Sequence, residues 1–125
     1  MKIESFEEIE GWVLAREFTG IIYQLTKKSL FSKDFGLKNQ IREASGSIMH
    51  NIAEGFDSES NIEFIRFLRY AKRSCSEVQS QLYLAKDQGY ITSEEFDLTY
   101  KLTGKTRSKI RGFINYLRNF ENKTV

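Results

Sequence analysis

Two side chains that could do chemistry, His50 and Glu54, stand four residues apart in the stretch HNIAEGF. Residues at that spacing share one face of a helix, so the pair could hold a metal ion, and Glu54 could act as a general acid or base. No second acid or histidine has a matching inward register, and a surface site with two ligands binds a metal weakly. The simpler interpretation is a polar helix end that faces solvent or another subunit.

Cys75 is the only cysteine of the chain, which excludes an intrachain disulfide and suits a reducing compartment. It falls in a regular apolar series, so a buried thiol that packs as a small hydrophobic group is a better interpretation than a nucleophile. The sequence contains no glycine-rich phosphate loop, no nucleophile elbow and no metal-ligand spacing. We therefore predict that the protein is not an enzyme and has no catalytic residue, cofactor or metal site.

The apolar residues recur at helical spacing nearly everywhere, and the chain contains no proline. This pattern predicts four helices, over about residues 8–29, 37–54, 61–88 and 93–119. Gly55 stands where the second helix needs a left-handed C-terminal cap, a conformation that glycine enters without a steric penalty. Capping boxes are predicted at Ser5 with Glu8, at Ser60 with Glu63 and at Thr92 with Glu95.

Each predicted helix has one apolar face. The predicted core positions are Leu14, Phe18, Ile21, Ile22 and Leu25 in the first helix, Leu37, Ile41, Ser45, Ile48 and Ile52 in the second, Phe64, Leu68, Ala71, Cys75, Val78, Leu82 and Ala85 in the third, and Thr99, Thr103, Ile110, Phe113 and Leu117 in the fourth. Short connections force neighbouring helices to be antiparallel. We therefore predict an all-α, up-down-up-down four-helix bundle, with residues 1–125 forming a single domain.

Charged residues make up 29% of the chain and recur every few positions, so no apolar run approaches the roughly 20 residues that span a bilayer. The N-terminal stretch MKIESFEEIE carries acids where a secretory signal has a basic region. These observations predict a cytoplasmic protein with no membrane contact.

The net charge of +2 is small, but the charges are unevenly distributed. Arg66, Arg69 and Arg73 are predicted to project from the third helix opposite its apolar face. In the fourth helix the apolar face is flanked by Lys101, Lys105 and Lys109 on one side and by Arg107, Arg111 and Arg118 on the other, with no acid between them. Like charges at this spacing repel one another, and a polyanion would relieve the repulsion.

These cations allow two interpretations. The first is a surface that binds the phosphates of a nucleic acid, for which we select Arg66, Arg69, Arg73, Lys105, Lys109 and Arg111. The second is a solvated face that Glu63 and Glu77 balance in part.

The second helix carries small residues within EASGSIMHNIAEG that spread over more than one face, so a neighbouring backbone could approach closely. Tyr70 and Leu84 lie off the apolar face of the third helix. We therefore predict self-association, with an interface that includes Gly46, His50, Ala53, Glu54, Tyr70 and Leu84.

The stretches QIREASGSIMHNIAEGF, SNIEFIRFLRYAKRS and SEVQSQLYLAKDQGYI together resemble one family of four-helix bundles, over about residues 6–118. Its members are encoded by intervening sequences in bacterial large-subunit ribosomal RNA genes, and its relatives include the accessory variability determinants of diversity-generating retroelements. The matching motifs are residues 51–55 (NIAEG), Glu63-Phe64 followed by Phe67-Leu68, and residues 81–83 (QLY) followed by residues 85–87 (AKD). Met49 and His50 stand where many members have proline and serine.

The resemblance implies a cytoplasmic bacterial bundle that forms a ring-shaped homo-oligomer, typically a pentamer, with a basic surface suited to RNA or DNA. No catalytic residue comes with the family. We therefore expect a non-enzymatic accessory protein that binds nucleic acid mainly through phosphate contacts. The alternative is a homo-oligomeric scaffold that docks a partner protein, such as a polymerase, without binding nucleic acid.

Overall fold

The computed structural model describes the backbone of residues 2–124 and the side chains of residues 2–120. It contains four α-helices: α1 (Glu10–Leu25), α2 (Phe35–Asp57), α3 (Asn61–Asp87) and α4 (Ser93–Thr124). Short 3-10 turns, Phe6–Glu8 and Phe31–Lys33, precede α1 and α2, and the described residues form no strand. Each helix packs against the next and α1 also packs against α4, which closes the bundle. The predicted all-α, up-down-up-down architecture is confirmed.

The helix ends differ from the predicted bounds because of local hydrogen bonds. The Ser5–Glu8 box closes the first 3-10 turn rather than α1, so α1 begins only at Glu10. The carboxylate of Asp34 accepts a hydrogen bond from the Leu37 amide at 3.1 Å, and this N-cap, which we did not predict, starts α2 two residues earlier than expected.

The predicted boxes at the starts of α3 and α4 form to different extents. The Ser60 hydroxyl accepts from the Glu63 amide at 3.2 Å, but the Glu63 carboxylate binds Arg66 instead of returning to the cap. The Thr92–Glu95 box is complete, with hydrogen bonds of 3.0 and 2.9 Å in the two directions. In addition, Lys28 donates to the Glu95 carboxylate, and this bond, together with the Thr92 amide, lowers the pKa of Glu95.

The prediction that Gly55 caps α2 in a left-handed conformation is wrong. The helix continues to Asp57, and Gly89 is the only described residue with positive φ, at 77°. Gly89 ends α3 in a Schellman motif, in which the Tyr90 amide donates to Ala85 and the Gly89 amide to Lys86. Gly55 is instead buried where α3 comes very close to α2.

The buried core agrees with the predicted apolar faces except at three positions, Ile21, Phe64 and Phe113. All five predicted core residues of α2 are buried. The core face of α3 begins at Ile65 rather than Phe64, and that of α4 contains Ile114 rather than Phe113. Phe64 and Phe113 meet edge to face at the rim of the bundle, with ring centroids 5.4 Å apart, and are only partly buried, as is Ile21. None of the described helices is both long and apolar enough to cross a membrane.

Five hydroxyl-bearing residues are buried in the bundle without disrupting it: Thr26, Ser45, Thr99, Thr103 and Thr106. Each hydroxyl donates to the backbone carbonyl four residues earlier, at 2.7–2.8 Å. These bonds satisfy the buried hydroxyls locally, so the apolar faces can still pack against one another.

Candidate nucleic-acid interface

The pairing of α3 with α4 determines which cations share a surface. The two helices run antiparallel, and their register is fixed by three contacts: Phe64 with Phe113 at one end, Arg107 with Ser76 in the middle, and Tyr83 with Tyr100 at the other end. Arginines on the same flanks of α3 and α4 therefore face a common groove.

We call this surface the basic face; its members are Arg69, Lys72, Arg73, Arg107, Arg111 and Arg118. Arg69 and Lys72 stand on the flank of α3 that carries Ser76, because residues three, four and seven apart share one side of a helix. Arg107 and Arg111 are four residues apart on the opposing flank of α4. The α3 stretch 64–76 and the α4 stretch 98–120 contain no acid, so no carboxylate stands between the cations of either helix, and the nearest acid that follows them on α3 is Glu77.

Most side chains of the basic face are accessible. Arg69, Arg73, Arg111 and Arg118 are exposed, whereas Lys72 and Arg107 are half-buried. Arg107 donates from Nε to the Ser76 hydroxyl at 3.0 Å, which fixes its guanidinium over the groove. Among the described side chains, none of the six forms a salt bridge.

The structure brings together only part of the predicted set of six cations. Arg69 and Arg111 lie on the basic face, and Arg73, whose guanidinium lies 5.9 Å from the centre of the Tyr70 ring, stands at its outer edge. Arg66 forms a surface ion pair with Glu63 of its own helix at 2.6 Å. Lys109 binds Glu10 of α1 at 3.1 Å, so it lies on the flank of α4 that faces α1.

Lys105 precedes Lys109 by one helical turn and shares its flank, away from the basic face. Conversely, the selected set omitted Lys72, Arg107 and Arg118. The fourth-helix pattern had already separated lysines from arginines on its two flanks, and this separation was the signal that could have identified Arg107 and Arg118. The pattern did not show which of the two flanks faces the third helix.

The predicted interface residues are spread over two helices. Gly46 and His50 line a groove of about 480 Å³ on the outer side of α1 and α2, in which Arg42 stacks over the Tyr23 ring at 4.5 Å. Ala53 is half-buried and Glu54 exposed further along α2. On α3, Tyr70 and Leu84 are exposed but lie about 21 Å apart at 1.5 Å per residue. Tyr70 and Leu84 therefore belong to different parts of the α3 surface.

The three groups that first suggested chemistry lie in two different environments. His50 and Glu54 are both exposed on α2, and the described residues contain no cluster of three side chains that could hold a metal ion. Cys75 is completely buried in the α3 face, as predicted. Burial raises the pKa of its thiol to about 12, although the nearby Arg107 cation acts in the opposite direction.

Comparisons with known proteins agree with this architecture. The sequence profile of the 23S rRNA-intervening sequence proteins matches residues 7–112. A crystal structure of a protein of unknown function from the S23 ribosomal protein family of Bacteroides thetaiotaomicron has the same fold, with a TM-score of 0.78 at 26% identity; the alignment covers 83% of this chain and 97% of that one. No curated protein matches the chain. Because the profile covers most of its length, the chain belongs to the family of 23S rRNA-intervening sequence proteins.

Proposed function

We propose that the protein is a non-enzymatic accessory protein that binds nucleic acid through the basic face. The observation that carries the proposal is the position of six cations on two adjacent antiparallel helices, in stretches that contain no acid. Repulsion between like charges at these spacings costs a helix a few tenths of a kcal/mol per pair, roughly, so the arrangement destabilises the free protein. Bound phosphates would remove that repulsion and release the counterions condensed on the nucleic acid.

The chemistry of the basic face suits phosphates better than bases. Five of its six members are arginines, whose planar guanidinium groups bind phosphate oxygens through two parallel hydrogen bonds. Arg107 and Arg118 are separated by about 16 Å along α4, at 1.5 Å per residue, a length that corresponds to about five phosphates of one strand when these are counted along the axis of a duplex, at about 3.4 Å each. Such contacts position a strand without reading its sequence.

Self-association belongs to the same proposal, with a pentamer as the subunit number that the family resemblance implies. Exposed apolar side chains outside the core, among them Tyr70 and Leu84, would be covered at a contact between copies. In a closed ring, each copy would add one basic face, so weak phosphate contacts would combine into tighter binding.

The test compares two charge reversals of equal size. In the first, Arg69→Glu is combined with Arg111→Glu on the basic face. In the second, the control, Lys101→Glu is combined with Lys105→Glu, two exposed lysines on the flank of α4 that faces away from α3. Both variants change the net charge of the chain by the same amount, so long-range electrostatic attraction falls equally and only the local contacts differ.

Binding is measured by fluorescence anisotropy with a labelled RNA, and light scattering after size exclusion identifies the binding species. Between about 50 and about 200 mM salt, four or five phosphate contacts should lower the affinity by roughly two to three powers of ten. We expect the basic-face variant to bind at least about 10-fold more weakly than the control at the lower salt. Equal binding by the two variants would refute the basic face, and no RNA binding by the wild-type oligomer at either salt would favour the scaffold that docks a protein.

A further inference from the structure

The groove between α3 and α4 continues past the basic face towards the connection that joins the two helices. After Arg69 and Lys72, the same flank of α3 carries Ser76, Gln79 and Tyr83. The opposing flank of α4 presents Arg111, Arg107, Gly104 and Tyr100 in turn, as the contacts of Ser76, Gln79 and Tyr83 show. A cationic section and an aromatic section therefore lie in one continuous groove.

Tyr83 offers an aromatic surface at the end of this groove. Its side chain is 50% exposed, whereas Phe96 beneath it is buried and Tyr100 beside it is half-buried. The Tyr83 ring lies 4.8 Å from the Phe96 ring and 5.5 Å from the Tyr100 ring, and the latter two stack on each other at 5.2 Å. Two neighbours thus hold Tyr83 in place while half of it stays open to solvent.

Gly104 keeps the middle of the groove open. A Cβ atom at this position would lie 3.2 Å from the Gln79 amide nitrogen and would project between the cationic and aromatic sections. Glycine inside a helix costs about 1 kcal/mol relative to alanine. The half-exposed backbone at Gly104 therefore gives a ligand a close approach to α4, at a site where the helix is weakened.

We propose that this groove binds single-stranded nucleic acid, with phosphates on Arg107 and Arg111 and one base stacked on Tyr83. The inference rests on the function proposed above and specifies the form of nucleic acid that this site takes. In a duplex the bases are stacked on one another and a tyrosine on a groove wall cannot reach them, whereas a single strand presents its bases to aromatic side chains. Arg107 and Tyr100 are about 10 Å apart along α4, so a strand of a few nucleotides spans the charged and aromatic sections.

The test uses two labelled probes, an oligo(U) strand of about 15 nucleotides and an RNA duplex of matching length. Tyr83→Ala removes the stacking surface, Tyr83→Phe keeps it, and Tyr83→Leu keeps apolar packing on Phe96 without a π-face. Tyr116→Ala is the matched control, because Tyr116 is about as exposed as Tyr83 and also packs against a neighbouring ring, Phe113, outside this groove. Thermal unfolding is recorded for every variant.

We expect Tyr83→Ala and Tyr83→Leu to weaken oligo(U) binding by about 5-fold to 100-fold, the effect of losing one stacked base. Tyr83→Phe and Tyr116→Ala should bind as the wild type does, and the duplex affinity of all four variants should change less than about twofold. The dependence of oligo(U) affinity on salt should stay unchanged in Tyr83→Ala, since no phosphate contact is lost.

The outcomes separate this inference from the proposed function. If Arg69→Glu with Arg111→Glu abolishes binding but Tyr83→Ala and Tyr83→Leu leave oligo(U) affinity intact, the basic face is correct and base stacking is refuted. An equal loss of affinity for the single strand and for the duplex would also refute stacking, because the paired bases of a duplex cannot contact Tyr83. If the wild type binds neither probe, both proposals are overturned together.

Discussion

Replacing Gly55 with alanine tests the close packing of α2 on α3. A Cβ atom at Gly55 would lie 2.8 Å from Cδ1 of Phe64 and 2.9 Å from Cβ of Phe67. Cβ of Phe67 is attached directly to the α3 backbone, so a rotation of side chains cannot relieve this contact and the helices must separate. Overpacking of this kind costs about 2–3 kcal/mol, in the upper part of the range for buried positions.

Alanine also favours the helical conformation by about 1 kcal/mol relative to glycine, which offsets part of that cost. The free energy of unfolding should therefore fall by about 1–2 kcal/mol, which corresponds to roughly 3–8 °C in Tm for a chain of this size. Gly20→Ala is the control: Gly20 is exposed in α1 and a Cβ there meets no atom within 4 Å. This substitution should raise stability by up to about 1 kcal/mol.

Urea unfolding followed by circular dichroism measures both variants against the wild type. Gly55→Asn distinguishes close packing from the C-terminal cap that the sequence suggested, because asparagine is tolerated in a left-handed cap but is larger than alanine. We expect Gly55→Asn to be less stable than Gly55→Ala. Stabilisation of the protein by Gly55→Ala, or an asparagine variant more stable than the alanine variant, would refute the close approach of α3.

Two further predictions concern single side chains. Because the pKa of Cys75 is raised to about 12, the thiolate fraction near pH 8 is roughly one in ten thousand. A thiol reagent should therefore modify Cys75 only as fast as the protein unfolds. Rapid modification of the folded protein would contradict the burial of Cys75. Asp34→Ala removes the α2 cap and the acceptor of the Tyr90 hydroxyl, which is 2.9 Å away, so unfolding by urea should show a loss of about 1–2 kcal/mol. The pKa of Tyr90, which the hydrogen bond to Asp34 raises, should fall in the same variant, and an unchanged tyrosine titration would argue against that bond.

The positions of the helices could be predicted from the sequence because helical periodicity is a property of each segment alone. The face formed by Leu37, Ile41, Ser45, Ile48 and Ile52 is buried in full for this reason. The ends of the helices were harder to predict, since one residue type at a helix end can have more than one structural role. A glycine near a helix end, such as Gly55, suits both a left-handed cap and a close helix contact, and only the position of Phe64 and Phe67 on α3 decides between them.

The candidate site was predicted in part for a related reason. The sequence shows which cations share a flank of one helix, and it separated Arg107 from Lys105 in this way. It does not show which flank meets which neighbour, because that depends on how the helices are arranged around the core. The Lys109–Glu10 and Arg107–Ser76 contacts provide this information and divide the predicted cations between two surfaces.

The buried threonines of α4 affect how freely sequences of this fold can diverge. Thr99, Thr103 and Thr106 each bond to a carbonyl of their own helix, so no side chain on α1 or α3 has to match them. Replacing one of these hydroxyls with a methyl group would leave no polar group on another helix without its hydrogen-bond partner. Such an interior imposes few pairwise constraints during evolution, which fits a crystal structure that keeps the same fold at only 26% identity.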